Sequence, residues 1–319
     1  MTPSDDLTGA FALLLTGDGG ARPVSLDDAR PGDGLSWFHF PLESPGLSRW
    51  LEDRLGLPEP VRRLLLSGAT HVQVEAIDPD GLVLLLRQPR TRAEPGVRTG
   101  LRVYATRHLC LTLADREVAS ITLLRHELEQ GRGPRSTDFL LGLAGAAASS
   151  QVLHVVELDE RMVDLEARVE AHGADAAQRL RDLRRALIEL RSAVSASRDV
   201  LMRVGLLDID WLRAQRRPMK DLTRRADSVL KDLDSLLDRA RILHDELKAR
   251  QDARMNYTLY VLTLISGVFL PLSFITGLLG VNVGGIPGTA WPGSFVVLCL
   301  LLLALAVAEW WALRRRKLV

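Results

Sequence analysis

From Met255 to Ala308 the sequence contains no Asp, Glu, Lys, Arg or His, whereas from Met1 to Arg254 charges arrive every few residues. No soluble core element is that long, so this tail has to be buried in lipid or in protein. It holds two runs, "MNYTLYVLTLISGVFLPLSFITGLLG" and "SFVVLCLLLLALAVAEWWAL", each meeting the roughly 20 residues needed to cross a bilayer core of about 30 Å. The segment between them is too short to form a domain beyond the far surface.

Orientation follows from the flanks. Arg250 and Arg254 precede the first run, Arg314 to Lys317 follow the second, and the connecting segment has no Lys or Arg. The positive-inside rule then predicts an integral protein of the cytoplasmic (inner) membrane with both termini in the cytoplasm. The start, "MTPSDDLTGAFALLL", is acidic rather than basic, unlike a signal peptide. A formal net charge of +1 over 319 residues gives no whole-protein attraction to nucleic acid, and no nucleic-acid partner is expected. Cys110 and Cys299 belong to the cytoplasmic part and the second run, so no disulfide framework is expected.

Residues 1–130 read as a cytoplasmic α/β domain. "HVQVEAI" and "LVLLLRQ" flank the turn signal "DPDG" and predict a hairpin, and "GLRVYATRHLCLTLA" predicts a further strand pair. "SPGLSRWLEDRLGLPEPVRRLLLSG" and "SITLLRHELEQ" have helical spacing with Ser or Pro at their starts. From "STDFLLGLAG" onward the strand signal stops. Residues 131–217 read as long helices separated by "HGAD" and by an interhelical loop, "DIDWLRAQRRP".

A helix beginning near Pro218 meets no stop until Gly280, since its only later proline, Pro271, lies near the far end of the first run. At 1.5 Å per residue it is roughly 95 Å long, with about 30 Å in the membrane and a cytoplasmic stalk of about 60 Å. The fold class expected is therefore α+β, with a stalk helix over 218–280 continuing into a first span at about 255–280. An outer loop at 281–293, a second span at 294–313 and a basic tail at 314–319 follow. Along the stalk, Leu222, Ala226, Val229, Leu233, Leu236, Ala240, Leu243 and Leu247 recur at alternating steps of four and three, a heptad seam.

The same helix carries a second stripe. Asp238, Asp245 and Asp252 recur every seven residues, and their line resumes past Leu259 with Ser266, Ser273 and Gly280. A neighbouring line holds Asn256, Thr263, Leu270 and Gly277. Two residues turn a helix by about 200°, so this polar side lies nearly opposite Leu222, Val229, Leu236 and Leu243. Inside a membrane an unpaired hydroxyl or amide costs on the order of 1 to 3 kcal/mol, so the stripe asks for water or a polar partner. Back-bonding of each Ser and Thr to its own helix is the ordinary alternative. For the aspartates, ordinary solvated coiled-coil positions are the alternative to a line that attracts cations.

The segment "TGLLGVNVGGIPG", residues 276–288, carries five glycines. It lacks the Lys-Ser/Thr and the strand-to-helix context of a phosphate cradle. Gly277 and Gly280 suit a helix end or a close helix approach, and Gly284, Gly285 and Gly288 suit a tight loop. Asn282 has a carbonyl oxygen that can accept from the water shell of a cation, and equally suits a helix C-cap.

"FLPLSFITGLLGVN", with Phe269, Pro271, Phe274, Thr276, Gly277 and the triplet Gly280-Val281-Asn282, resembles the end of the first span in the CorA-type metal-ion transporters, whose signature is Gly-Met-Asn. Valine in the triplet and "VGGIPG" after it resemble the zinc-transporting ZntB branch of that family. The resemblance implies a funnel-shaped homopentamer in membrane lipid, in which five first-span helices line a central path for divalent metal ions. It places Gly280, Val281 and Asn282 at the outer mouth and Asn256, Thr263, Ser266, Leu270 and Ser273 on the pore. It implies zinc as the transported ion, no prosthetic group and no enzymatic activity; proton coupling is suggested by the branch alone. The loop "VNVGGIPGTAWPG" has no acidic residue, whereas magnesium-type members often carry one nearby, which speaks for zinc over magnesium; a magnesium, cobalt or nickel channel of the same family is the alternative.

Zinc prefers His nitrogen and Cys sulfur, and the first span has neither. A substantially hydrated ion, bound weakly enough to leave, is the consistent cargo. The histidines make no metal motif. His154 with Glu157, and His244 with Asp245 and Glu246, read as solvated helix residues, while His71 and Glu75 share a face of an expected strand and could form a site in the cytoplasmic domain. A membrane-anchored coiled-coil signalling or scaffold protein is the reading from another class, and it needs neither the stripe nor the triplet.

Overall fold

Short strands from the first part of the chain make one sheet. β1 (Phe11–Leu15), β2 (Ala21–Val24), β3 (Ser36–Pro41), β4 (Gln73–Ile77), β5 (Gly81–Gln88), β6 (Thr99–Ala105) and β7 (Leu109–Ala114) pair in the order β2-β1-β3-β7-β6-β5-β4. All neighbours are antiparallel except β3 and β7, which run parallel from Ser36 opposite Leu109 to Pro41 opposite Ala114. The computed structural model describes residues 9–26, 34–67, 73–77, 80–88, 99–114, 118–168, 173–280 and 291–315. Both expected strand pairs are present, β4 with β5 and β6 with β7. β1, β2 and β3 were not foreseen.

Because successive side chains point to opposite faces, each strand feeds two cores. On one face Phe38, Phe40, Val83, Leu111 and Leu113 pack with Trp50, Leu51, Val61 and Leu65 from α1 (Leu47–Asp53) and α2 (Glu59–Leu66). On the other face Trp37, Leu84, Leu101 and Val103 meet α3 (Ala119–Glu129), α4 (Phe139–Arg168) and α5 (Gly173–Leu206) through Leu124, Leu143 and Val200. Cys110 lies in this second core, where burial pushes its thiol pKa up and keeps it inert.

A polar group is built into that second face. Thr112 accepts from Trp37 Nε1 at 3.0 Å, donates to the Phe38 carbonyl at 3.2 Å and lies 2.9 Å from His39 Nδ1. Burial, with the Arg125 guanidinium nearby, lowers the His39 pKa from 6.5 to about 4. The folded state thus favours the neutral ring, and the unfolded chain takes up a proton between those two values. Stability is complete above about pH 6.5 and falls as pH drops toward 4, by roughly 3 kcal/mol. Urea midpoints at pH 7 and pH 4.5 check this: the acid loss should be smaller in His39→Phe than in the wild type by about that amount.

α6 (Arg216–Leu279) is a single helix of 64 residues. The residues before it were expected as an open loop; instead Asp210–Gln215 form a 3-10 helix, with Leu212 and Gln215 buried. The chain forms two compact units, Met1–His244 and Asp245–Val319. Within the first unit α4, α5 and the first part of α6 form a bundle aligned by cross-helix ion pairs. Arg239 forks between Asp159 and Glu166 of α4, each at 2.7 Å, and Arg191 of α5 meets Asp234 at 2.6 Å.

The buried seam of α6 departs from the expected one at Val229 and at Leu247. Leu222, Ala226, Leu230, Leu233, Leu236, Ala240 and Leu243 are buried, while Val229 and Leu247 are only half-buried. The steps run four, four, three, three, four, three: Leu230 takes the place of Val229, and from Leu233 to Leu243 the line keeps the expected positions. Leu230→Ala should cost about 2 to 4 kcal/mol and Val229→Ala under about 1 kcal/mol, measured by thermal or urea unfolding.

Among the described residues three helices are long and apolar enough to cross a membrane: α4 with the turn before it, α6 with the turn before it, and α7 (Ser294–Arg315). For α4 much of that apolarity is used in the first unit, where Phe139, Leu140, Leu143, Ala146 and Ala147 are buried. No described residue in the apolar parts of α6 and α7 is fully buried.

Candidate functional site

The second unit exposes the polar stripe. Asn256, Thr263, Ser266, Leu270 and Ser273 are all solvent-facing in the single chain, as is Gly280 at the end of the helix. The half-buried positions of this part of α6 are Val261, Leu264, Val268, Pro271, Leu272 and Ile275. At 100° per residue their mean direction lies about 170° from that of the stripe. On α7 the half-buried line is Leu298, Leu302, Leu305 and Glu309. Each helix therefore has one side shielded by its own chain, and the polar stripe is on the opposite side of α6.

The hydroxyl chemistry of the span is mixed. Thr258, Thr263 and Thr276 donate to the carbonyls of Arg254, Leu259 and Leu272 at 3.0, 2.8 and 3.0 Å, so the back-bonding alternative holds for the threonines. A back-bonded threonine has spent its proton and keeps oxygen lone pairs. It can still accept from the water shell of a cation. Asn256, Ser266 and Ser273 make no side-chain hydrogen bond among the described residues. Pro271, inside the helix, has no N–H to give the Gly267 carbonyl. Gly267 carries no side chain and projects close to the line of Thr263 and Leu270, so that freed oxygen is one more acceptor beside the stripe.

Gly280 closes the helix. Its N–H reaches the Thr276 and Gly277 carbonyls at 2.9 and 3.2 Å, and a Cβ on it would stand 3.1 Å from the Thr276 oxygen. Gly277 faces open space, which leaves room for a second helix or a passing ion. Val281 and Asn282, the other members of the triplet, lie outside the described residues, as do His71 and the tail from Arg316.

Asp238, Asp245 and Asp252 are exposed, on the side away from the buried Leu236 and Leu243. Asp238 pairs with Arg241 at 3.2 Å, which offsets part of its charge. His154 gives its ring to the Ser150 carbonyl at 2.7 Å. Among the described residues no group of three or more His, Cys, Asp or Glu side chains could hold a metal ion. Glu309 is a further polar residue of the site region: among the described residues its Oε2 is buried without a hydrogen-bond partner, on the half-buried line of α7. A carboxylate ending an apolar run was the signal that could have found it.

A family model described as "CorA-like Mg2+ transporter protein" matches residues 32–315. The zinc transport protein ZntB of Pectobacterium atrosepticum is 31% identical over 310 residues, covering 96% of this chain and 94% of that protein. The divalent cation transporter CmaX of Pseudomonas aeruginosa is also 31% identical, over 316 residues, covering 96% and 95%. The structure of the full-length CmaX protein superposes with a TM-score of 0.78 at 30% identity, covering 96% of this chain and 97% of that one.

Proposed function

The chain belongs to the CorA-like Mg2+ transporter family, a family of divalent-cation transporters, and from that premise we propose that it carries zinc across the cytoplasmic membrane through the central pore of a homopentamer. The observation that carries this reading is the placement of the polar stripe opposite the side of α6 that its own chain shields. A hydrophilic side facing neither its own chain nor lipid has to face other copies and the water between them. Arranged in a ring, five copies of Asn256, Thr263, Ser266 and Ser273 enclose a path of oxygen acceptors. In this reading α6 and α7 are the two spans, both termini are cytoplasmic, and Gly280, Val281 and Asn282 form the outer mouth.

Zinc is favoured over magnesium by relatives named for zinc transport at 31% identity over 96% of the chain. The same stripe offers no nitrogen or sulfur donor, so the zinc that passes keeps most of its water. Asp238, Asp245 and Asp252 raise the cation concentration at the cytoplasmic end. A broader divalent-cation path is the second reading, favoured by an all-oxygen stripe and by the equal identity to a divalent cation transporter.

Purified protein in liposomes that hold a zinc-sensitive dye tests the function. Zinc entry should be saturable, with magnesium, cobalt and nickel as competitors that rank selectivity, and acceleration by an imposed proton gradient would identify coupling. No flux of any divalent ion from verified oligomers would sink the reading and leave a membrane-anchored coiled coil in its place.

A further inference from the structure

The helical hairpin of the first unit carries an outward seam that its own chain leaves bare. On α4, Leu153, Val156, Glu160 and Val163 follow steps of three, four and three, opposite the buried Leu158, Met162 and Leu165. The three aliphatic members are 66%, 50% and 53% exposed. A solvated helix face does not repeat exposed aliphatics at heptad spacing; a face that packs against another helix does. On α5, Arg181 and Ile188 project outward, opposite the buried Leu183, Leu187 and Leu190, with Ile188 54% exposed. Glu160 has no ion-pair partner among the described residues, and the Arg181 guanidinium meets only the neutral amide oxygen of Gln178.

We propose that this seam is an interface with a second copy of the chain, α4 of one copy packing against α5 of the next. Heights along the hairpin support the match. Leu153 stands fifteen residues before the end of α4 at Arg168 (168 − 153) and Ile188 fifteen after the start of α5 at Gly173 (188 − 173). Glu160 and Arg181 each stand eight residues from those ends (168 − 160 and 181 − 173). At 1.5 Å per residue the pairs lie about 22 Å and about 12 Å from the closed end. Rotation about an axis along the helices preserves height, so it brings leucine to isoleucine and carboxylate to guanidinium. A two-fold axis that set α4 against α4 would bring Glu160 against its own copy. The two surfaces differ, so the contact is head-to-tail and closes only as a ring. That ring rests on the pore reading above, while the contact itself is detected without metal.

The full-length chain in a Cys299→Ser background, carrying Leu153→Cys together with Ile188→Cys, is oxidised in membranes. A bond within one copy leaves the chain at monomer size, so any covalent species of higher mass is intermolecular. The expected result is a covalent ladder beyond the dimer, at least tenfold stronger than from either single variant, lost on adding Glu160→Arg and regained on adding Arg181→Glu. Dimers from Leu153→Cys alone would show α4 against α4 and overturn the proposal. An absent ladder from protein that still sediments as an intact oligomer would overturn it as well. A ladder from protein with no metal flux would keep the interface and sink the transport reading.

Discussion

Asn282→Ala is expected to lower zinc flux into liposomes at least tenfold while leaving the oligomer intact by size. Asn282 ends the triplet that begins where α6 closes at Gly280. The sequence around it has no carboxylate to concentrate cations, so amide and backbone oxygens are what the proposed mouth would offer an incoming hydrated ion. In a ring each copy contributes the same amide, and one substitution removes all of them at once. Asn282→Asp separates two roles. If the residue acts by accepting from the ion's water, the carboxylate retains flux and weakens the preference among divalent ions. If it acts only by capping the helix, aspartate and alanine lose flux in parallel with loss of thermal stability. Unchanged flux in Asn282→Ala would remove the mouth from the selectivity account.

The structure shows where pattern reading reaches its limit in this chain. The β4–β5 and β6–β7 pairs were legible because their partners are local and their apolar runs are separated by turn residues. β3 was not: Ser36 through Phe40 are all buried, so both faces are covered and no alternation marks the strand. Its parallel partner β7 is some seventy residues away, at Ser36 opposite Leu109, and no local signal announces a pairing at that distance. β2 is an edge strand of four residues containing Arg22 and Pro23, which reads as loop. In the stalk, adjacent apolar residues Val229 and Leu230 both fit a seam, and only the packed bundle selects the leucine. The polar stripe was visible because hydroxyls and an amide stand out in an apolar helix. The shielded side was not, since Val261, Leu264, Val268 and Leu272 are as apolar as the exposed aliphatic residues beside them.

That pair of sides makes a sharp prediction. Ser266→Leu should lower zinc flux at least tenfold, because it adds a branched aliphatic to the stripe in every copy and replaces the acceptor that water would use. Val268→Leu, two residues on, adds bulk on the half-buried side and should leave flux within about twofold, at a packing cost of about 1 to 3 kcal/mol. The contrast matters more than either value, since both variants place a leucine at nearly the same depth, about 200° apart around α6, and only the one on the stripe also removes a hydroxyl. Leu270 supplies the opposite test. It interrupts the stripe with an exposed aliphatic, so in the proposed pore it would form the driest ring, and Leu270→Ser should raise flux several-fold and loosen selectivity. Equal effects of Ser266→Leu and Val268→Leu would mean that the stripe does not line the path. Ions would then cross elsewhere, and the serines would return to the ordinary role of helix residues with no partner.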